Sequence, residues 1–115
     1  MPIHLSIIDG IEALAGGEGA WVNAATHVKP GLLVAGLNPV CTDAVGAALM
    51  GFDPMAGHRQ QPYEGCDSTL LLAEQAGLGT RDLSRIEVAG SAIRDVKFDF
   101  RSASPGPWRR LRQDG

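Results

Sequence analysis

A chain of 115 residues that is 44% hydrophobic and 20% charged is a small globular domain, or part of a larger one, and not a disordered segment. The formal charge of −3 is unevenly spread: residues 97–115 carry five basic groups against two acidic, the first 96 residues five against eleven. An acidic body excludes a broad phosphate-binding surface, so nucleic acid is not the expected partner.

Ile3 to Ile8 is rich in β-branched residues and reads as a strand that ends at Asp9-Gly10. Ile11 to Ala15 fits one helical turn, and Gly16-Gly17-Glu18-Gly19 then breaks regular structure. The stretch to Lys29, with Trp21 and His27, reads as a long surface loop. Gly31 to Ala35 is a continuous apolar run of the kind found in a strand covered on both faces. If it lies parallel to the first strand, the carboxyl ends of both open towards one cleft.

Asn38 is a good N-cap and Pro39 a favoured first helical residue, so a helix begins there. It stops near Met50, where Gly51 can take the left-handed terminating conformation. Asp43 falls among Val40, Cys41, Ala44 and Val45, and a buried carboxylate there needs a partner or loses its charge. Residues 55–66 form a second irregular segment. Asp67 or Ser68 caps a helix over Thr69–Ala76 with Leu70, Leu71, Leu72 and Ala73 facing inward.

Asp82 caps a short turn, Ile86–Ala89 reads as a third strand, and Lys97–Arg101 alternates like an edge strand. The expected fold is α/β or α+β: a small three- to four-stranded sheet packed by two main helices, itself part of a larger domain. Residues 1–101 would form the single unit and 102–115 a frayed basic tail. A short sheet covered on one face leaves open edges, which points to a missing N-terminal half or to a homo-oligomer.

Two cysteines, Cys41 and Cys66, make neither a disulfide framework nor a zinc cage without other ligands. No apolar run approaches the ~20 residues that span a bilayer, so a membrane is not expected. MPIHLSIIDG lacks the basic start of a signal peptide, and the cytoplasm is the default location.

Four linked segments, IIDGIEALAGGEG, GLLVAGLNPVCTDAVGAALMGFDP, LLAEQAGLG and IEVAG, carry a family likeness across roughly residues 3–90. In order and spacing they resemble the C-terminal half of domain-of-unknown-function family 362. The resemblance rests on Asp-Gly after a strand, a Gly-rich loop, the Asn-Pro helix start, an Asp five residues on, and Met-Gly-Phe-Asp-Pro. It implies an upstream half and, from members that carry them, a link to ferredoxin-type iron–sulfur modules. This chain has no Cys-rich ligand run, so no iron–sulfur cluster is expected on these residues alone.

Asp9 and Asp43 are the leading candidates for a site. At strand C-termini they could share a divalent metal such as Mg²⁺, or act as an acid–base pair on a small polar molecule. Gly10, Gly17, Gly19 and Asn38 would line the substrate side, with glycines permitting close approach to the backbone. The plainer alternative has Asp9 accepting backbone hydrogen bonds in its turn, and Asp43 bonded to a loop N–H or an Arg. The segment 16–19 lacks dinucleotide and P-loop spacing, and a flexible surface loop is the better reading of it.

His4, His27 and His58 show no metal spacing and read as solvated. Cys66 at a helix start is a candidate thiolate without an evident His–Asp relay. A different class of function, a non-catalytic binding or assembly module, predicts the two carboxylates apart and an exposed apolar face instead.

Overall fold

The computed structural model describes residues 2–15, 26–63 and 65–100. Four strands, β1 (Ser6–Gly10), β2 (Ala13–Ala15), β3 (Thr26–Val28) and β4 (Leu32–Gly36), precede the helices α1 (Pro39–Leu49), α2 (Thr69–Gln75) and α3 (Ile93–Val96). A 3₁₀ turn, Leu83–Arg85, lies between α2 and α3. This is a small α+β arrangement in which short strands are packed by helices. Its four strands form two separate antiparallel pairs rather than one sheet.

The pairs belong to one interrupted hairpin. β1 pairs with β4 in the register Ser6↔Gly36 to Gly10↔Leu32, and β2 with β3 from Ala13↔Val28 to Ala15↔Thr26. The two registers differ by one residue, the signature of a bulge. Its cause is Pro30-Gly31: proline has no N–H for the ladder, and Gly31 sits at φ 71°. The Gly31 N–H still donates to the Ile11 carbonyl at 3.2 Å, which holds the arms together across the break.

This corrects three expectations. β1 and β4 are antiparallel, because the chain between them is spent on the β2–β3 pair and makes no crossover. Ile11–Ala15 contributes strand β2 rather than a helical turn, and the segment to Lys29 contains strand β3. Residues 16–25 lie outside the described residues, as do Glu64 and 101–115, the end of the expected edge strand and the basic tail.

α1 follows its sequence signals closely. Asn38 Oδ1 accepts from the Cys41 N–H at 3.0 Å, and Pro39 opens the first turn. At the other end Gly51 (φ 92°) donates to the Ala48 carbonyl and Phe52 to the Ala47 carbonyl, the two bonds of a Schellman motif. α2 ends in the same way, with Gly77 donating to Glu74 and Leu78 to Ala73. Its N-cap is Ser68, whose Oγ accepts from Leu71 at 3.1 Å.

Two small cores result. Val40 and Ala44 of α1 pack with Leu70, and Ala47, Ala73 and Ile86 border them. Ala15, Val28 and Phe100 form the second, against Ala13, Phe52 and Phe98. Leu72 is exposed, contrary to expectation, since two residues along a helix turn the side chain to the opposite side from buried Leu70. Ile86–Ala89 forms no strand among the described residues, and Ile93–Val96, unmarked in the sequence, forms a helical turn.

The alternation at Lys97–Phe100 serves a helix end rather than a sheet. Phe98 N–H donates to the Leu49 carbonyl at 2.8 Å and Phe100 N–H to the Met50 carbonyl at 3.0 Å. These are acceptors that the end of α1 leaves unpaired. The two rings meet edge to face, with centroids 5.4 Å apart.

Candidate functional site

α1 lies across the inner face of the β1–β4 ribbon. Ile8 points at the helix: a Cβ added at Gly46 would stand 2.9 Å from Ile8 Cδ1. Gly36 plays the matching part on β4, where an added Cβ would collide with Thr42 Oγ1. Small residues at these two contacts bring helix and ribbon close together. Thr42 is buried, and its hydroxyl donates to the Asn38 carbonyl at 2.7 Å.

Beside this contact is a cleft of about 360 Å³, in the size range of small-molecule pockets. Asp43, Gly46, Ala47 and Met50, spaced i, i+3, i+4 and i+7, form its helical wall. Ile8, Leu32 and Val34 come from the ribbon, and Tyr63, Thr69 and Leu70 from the loop before α2 and its start. Asp43 is exposed rather than buried, because α1 turns Val40, Ala44, Val45, Ala48 and Leu49 into the protein instead. A carboxylate at that position therefore escapes the desolvation that the apolar helix composition implied.

Asp9 also borders the cleft, as the β1 residue between Ile8 and Gly10. Successive strand residues point to opposite faces, so Ile8 facing α1 places the side chains of Ile7 and Asp9 on the outer face. Asp9 Oδ1 accepts from the Ile11 N–H at 3.2 Å, the turn bond that an Asp-Gly strand end favours. Gly10 lines the cleft opposite Leu32, where an added Cβ would come within 3.1 Å of the Leu32 carbonyl oxygen. Gly17 and Gly19 lie outside the described residues.

Asn38 is engaged at both ends of its amide. Oδ1 caps α1, while Nδ2 donates to the Leu78 carbonyl at 2.9 Å. It borders a second, larger cavity of about 690 Å³ between β4 and residues 86–91. That cavity is larger but chemically poorer, with Glu87 its one charged lining residue among the described residues.

The histidines are placed apart from Asp43. His27 Nε2 lies 3.6 Å from Glu12, which Lys29 Nζ also approaches at 3.7 Å, all three exposed. His58 Nδ1 lies 3.0 Å from Asp67 Oδ1, an exposed pair next in sequence to the exposed Cys66. Sequence reasoning missed this pair because the loop that joins its members folds back on itself, with the Arg59 N–H donating to the Tyr63 carbonyl. Among the described residues, no three His, Cys, Asp or Glu side chains converge in a metal-holding group.

The strongest electrostatic arrangement is elsewhere. Glu74 Oε2 accepts from the Arg81 N–H at 2.9 Å and the Thr80 hydroxyl at 3.2 Å, and Arg81 Nε stands 3.6 Å from Oε1. The Arg81 backbone bond leads in holding the Glu74 carboxyl below its ordinary range. Asp82 is lowered similarly, first by the Ser84 hydroxyl and then by the Ser84 N–H. Both arrangements fix the turn after α2 and neither borders the cleft.

No helix among the described residues is long and apolar enough to cross a membrane. Comparison with family models, with curated proteins and with solved structures finds no match to this chain.

Proposed function

We propose that this chain is a non-catalytic assembly module, the C-terminal half of a family-362-like α/β unit whose sheet is completed by a complementary polypeptide half. The observation that carries this is the outer face of the β1–β4 ribbon. Ile7 and Leu33 are 64% and 65% exposed there, on the face that turns away from α1. Ile3, Leu5 and Leu37 continue the same alternation and are exposed as well.

These five side chains present apolar surface on the order of 600 Å², the upper end of the largest patch on a typical monomer. Asp9 is the one carboxylate on this face of the ribbon, and its oxygen is already bonded. A two-stranded ribbon is also marginal by itself: three or more strands or packing on both faces are the usual requirement. The occupant that fits is a layer of aliphatic side chains, with strands to extend the ribbon edges. Free thiols at Cys41 and Cys66 accord with a cytoplasmic setting.

Reconstitution tests the reading. The full chain should bind the dye ANS, and Ile7→Lys with Leu33→Lys should abolish that binding while far-UV circular dichroism is retained. The polypeptide encoded directly upstream, added in trans, should form a one-to-one complex that the double variant cannot make. A native chain that binds no dye, or a homodimer that buries Ile7 and Leu33, would overturn it.

A further inference from the structure

We infer that the cleft beside Asp43 is a binding site for a small organic cation, an ammonium group carried on an apolar body. This goes beyond the assembly reading, since the cleft opens on the inner face of the ribbon, opposite the face assigned to the complementary half. Its volume of about 360 Å³ corresponds to roughly a dozen water molecules, enough for a compact organic molecule.

The charge of the lining selects the ligand. Among the described residues no Lys, Arg or His borders the cleft, so an anion would meet no compensating charge from them. Asp43 does border it, and among the described residues no hydrogen bond or ion pair engages its carboxylate. Asp9, the other acidic lining residue, sends its side chain to the outer face and is bonded to Ile11. An ammonium at Asp43 would form a charge-assisted hydrogen bond of the stronger kind.

The rest of the lining fits the body of such a ligand. Ile8, Val34 and Leu70 make apolar walls, and Tyr63 also borders the cleft, an aromatic residue of the type that attracts cations. Tyr63 and Thr69, two hydroxyl-bearing residues, also border it. A bare Ca²⁺ would fall short of its six to eight oxygen ligands, since among the described residues no three His, Cys, Asp or Glu side chains converge.

The probes are 2-phenylethylamine, the neutral 2-phenylethanol and the anion 3-phenylpropionate, titrated into the full chain and followed through the Gly46 and Ala47 amide resonances. The amine should bind about tenfold more tightly than the anion, and its affinity should fall as salt is raised. Asp43→Asn should weaken the amine three- to tenfold, roughly, and leave the alcohol unchanged. Asp43→Glu, which keeps the charge, should stay within about twofold. Should Asp43→Asn fail to fold, the ranking of the three probes on the native chain decides the matter. No amine binding, equal binding of amine and alcohol or of amine and anion, or an amine affinity indifferent to Asp43→Asn overturns the assignment.

Discussion

Asn38 and Leu78, forty residues apart, are joined by a 2.9 Å hydrogen bond from the Asn38 amide to the Leu78 carbonyl. The same side chain caps α1 through its oxygen, so one residue closes the start of one helix and secures the turn that ends the next. Gly79 makes the approach possible, since a Cβ there would collide with Asn38 Oδ1 and stand 2.8 Å from Val40 Cβ. A residue expected from the sequence to face a substrate therefore holds α1 against the end of α2.

Substitutions at Asn38 separate its two bonds. Asn38→Asp keeps an acceptor for the Cys41 N–H and loses the donor to Leu78, whereas Asn38→Ala loses both. Alanine should cost about 2 kcal/mol and aspartate about 1 kcal/mol, read from urea midpoints. Equal costs would mean that the capping bond contributes nothing.

The contact of Gly36 with Thr42 makes a coupled prediction. Gly36→Ala pushes a methyl into the buried Thr42 hydroxyl and should destabilise by about 1–3 kcal/mol. Thr42→Ala removes that obstacle but also the bond from Oγ1 to the Asn38 carbonyl. The double variant should be more stable than the two single costs predict, by at least about 0.5 kcal/mol in a double-mutant cycle. Simple additivity would show that β4 moves away from α1 instead.

Local signals were legible in this sequence and long-range ones were not. The Asn38-Pro39 start and the Gly51 stop of α1, the cap of α2 and the Asp82 turn all act within a few residues, and all stand where the sequence places them. Strand pairing is decided far along the chain. Nothing near Ile8 says that Val34 will lie opposite it in antiparallel register, or that Pro30-Gly31 will break the ladder. The candidate site inherits the same limit. Asp9 and Asp43 both reach the cleft border, yet the pleat of β1 separates their side chains, and pleat phase is invisible until the inner face is known.

Acid should weaken the fold through the turn after α2. Glu74 and Asp82 both have folded-state pKa values below their ordinary ones. The unfolded chain then binds more protons, so stability rises with pH across this window. Their contribution is fully present above about pH 5 and is lost as pH falls through the carboxylate range. Glu74→Gln should flatten part of that slope in urea midpoints measured against pH. An unchanged slope would show that the bonds from Thr80 and Arg81 to Glu74 are not kept in solution.

The two faces of the ribbon should respond oppositely to the same chemical change. Ile7→Thr and Leu33→Thr put a β-compatible polar residue on the outer face, where the native side chains already meet water. Stability should stay within about 0.5 kcal/mol of the native chain, and solubility should rise. Ile8→Thr and Val34→Thr make the change on the inner face, against α1 and the cleft. There apolar contact with α1 is lost from half-buried side chains, at a cost of about 1–2 kcal/mol each. The difference in urea midpoints between adjacent residues 7 and 8 thus reads the pleat directly. Equal costs at Ile7 and Ile8 would mean that both faces of the ribbon are covered in the chain by itself, and the open face would no longer be available to a partner.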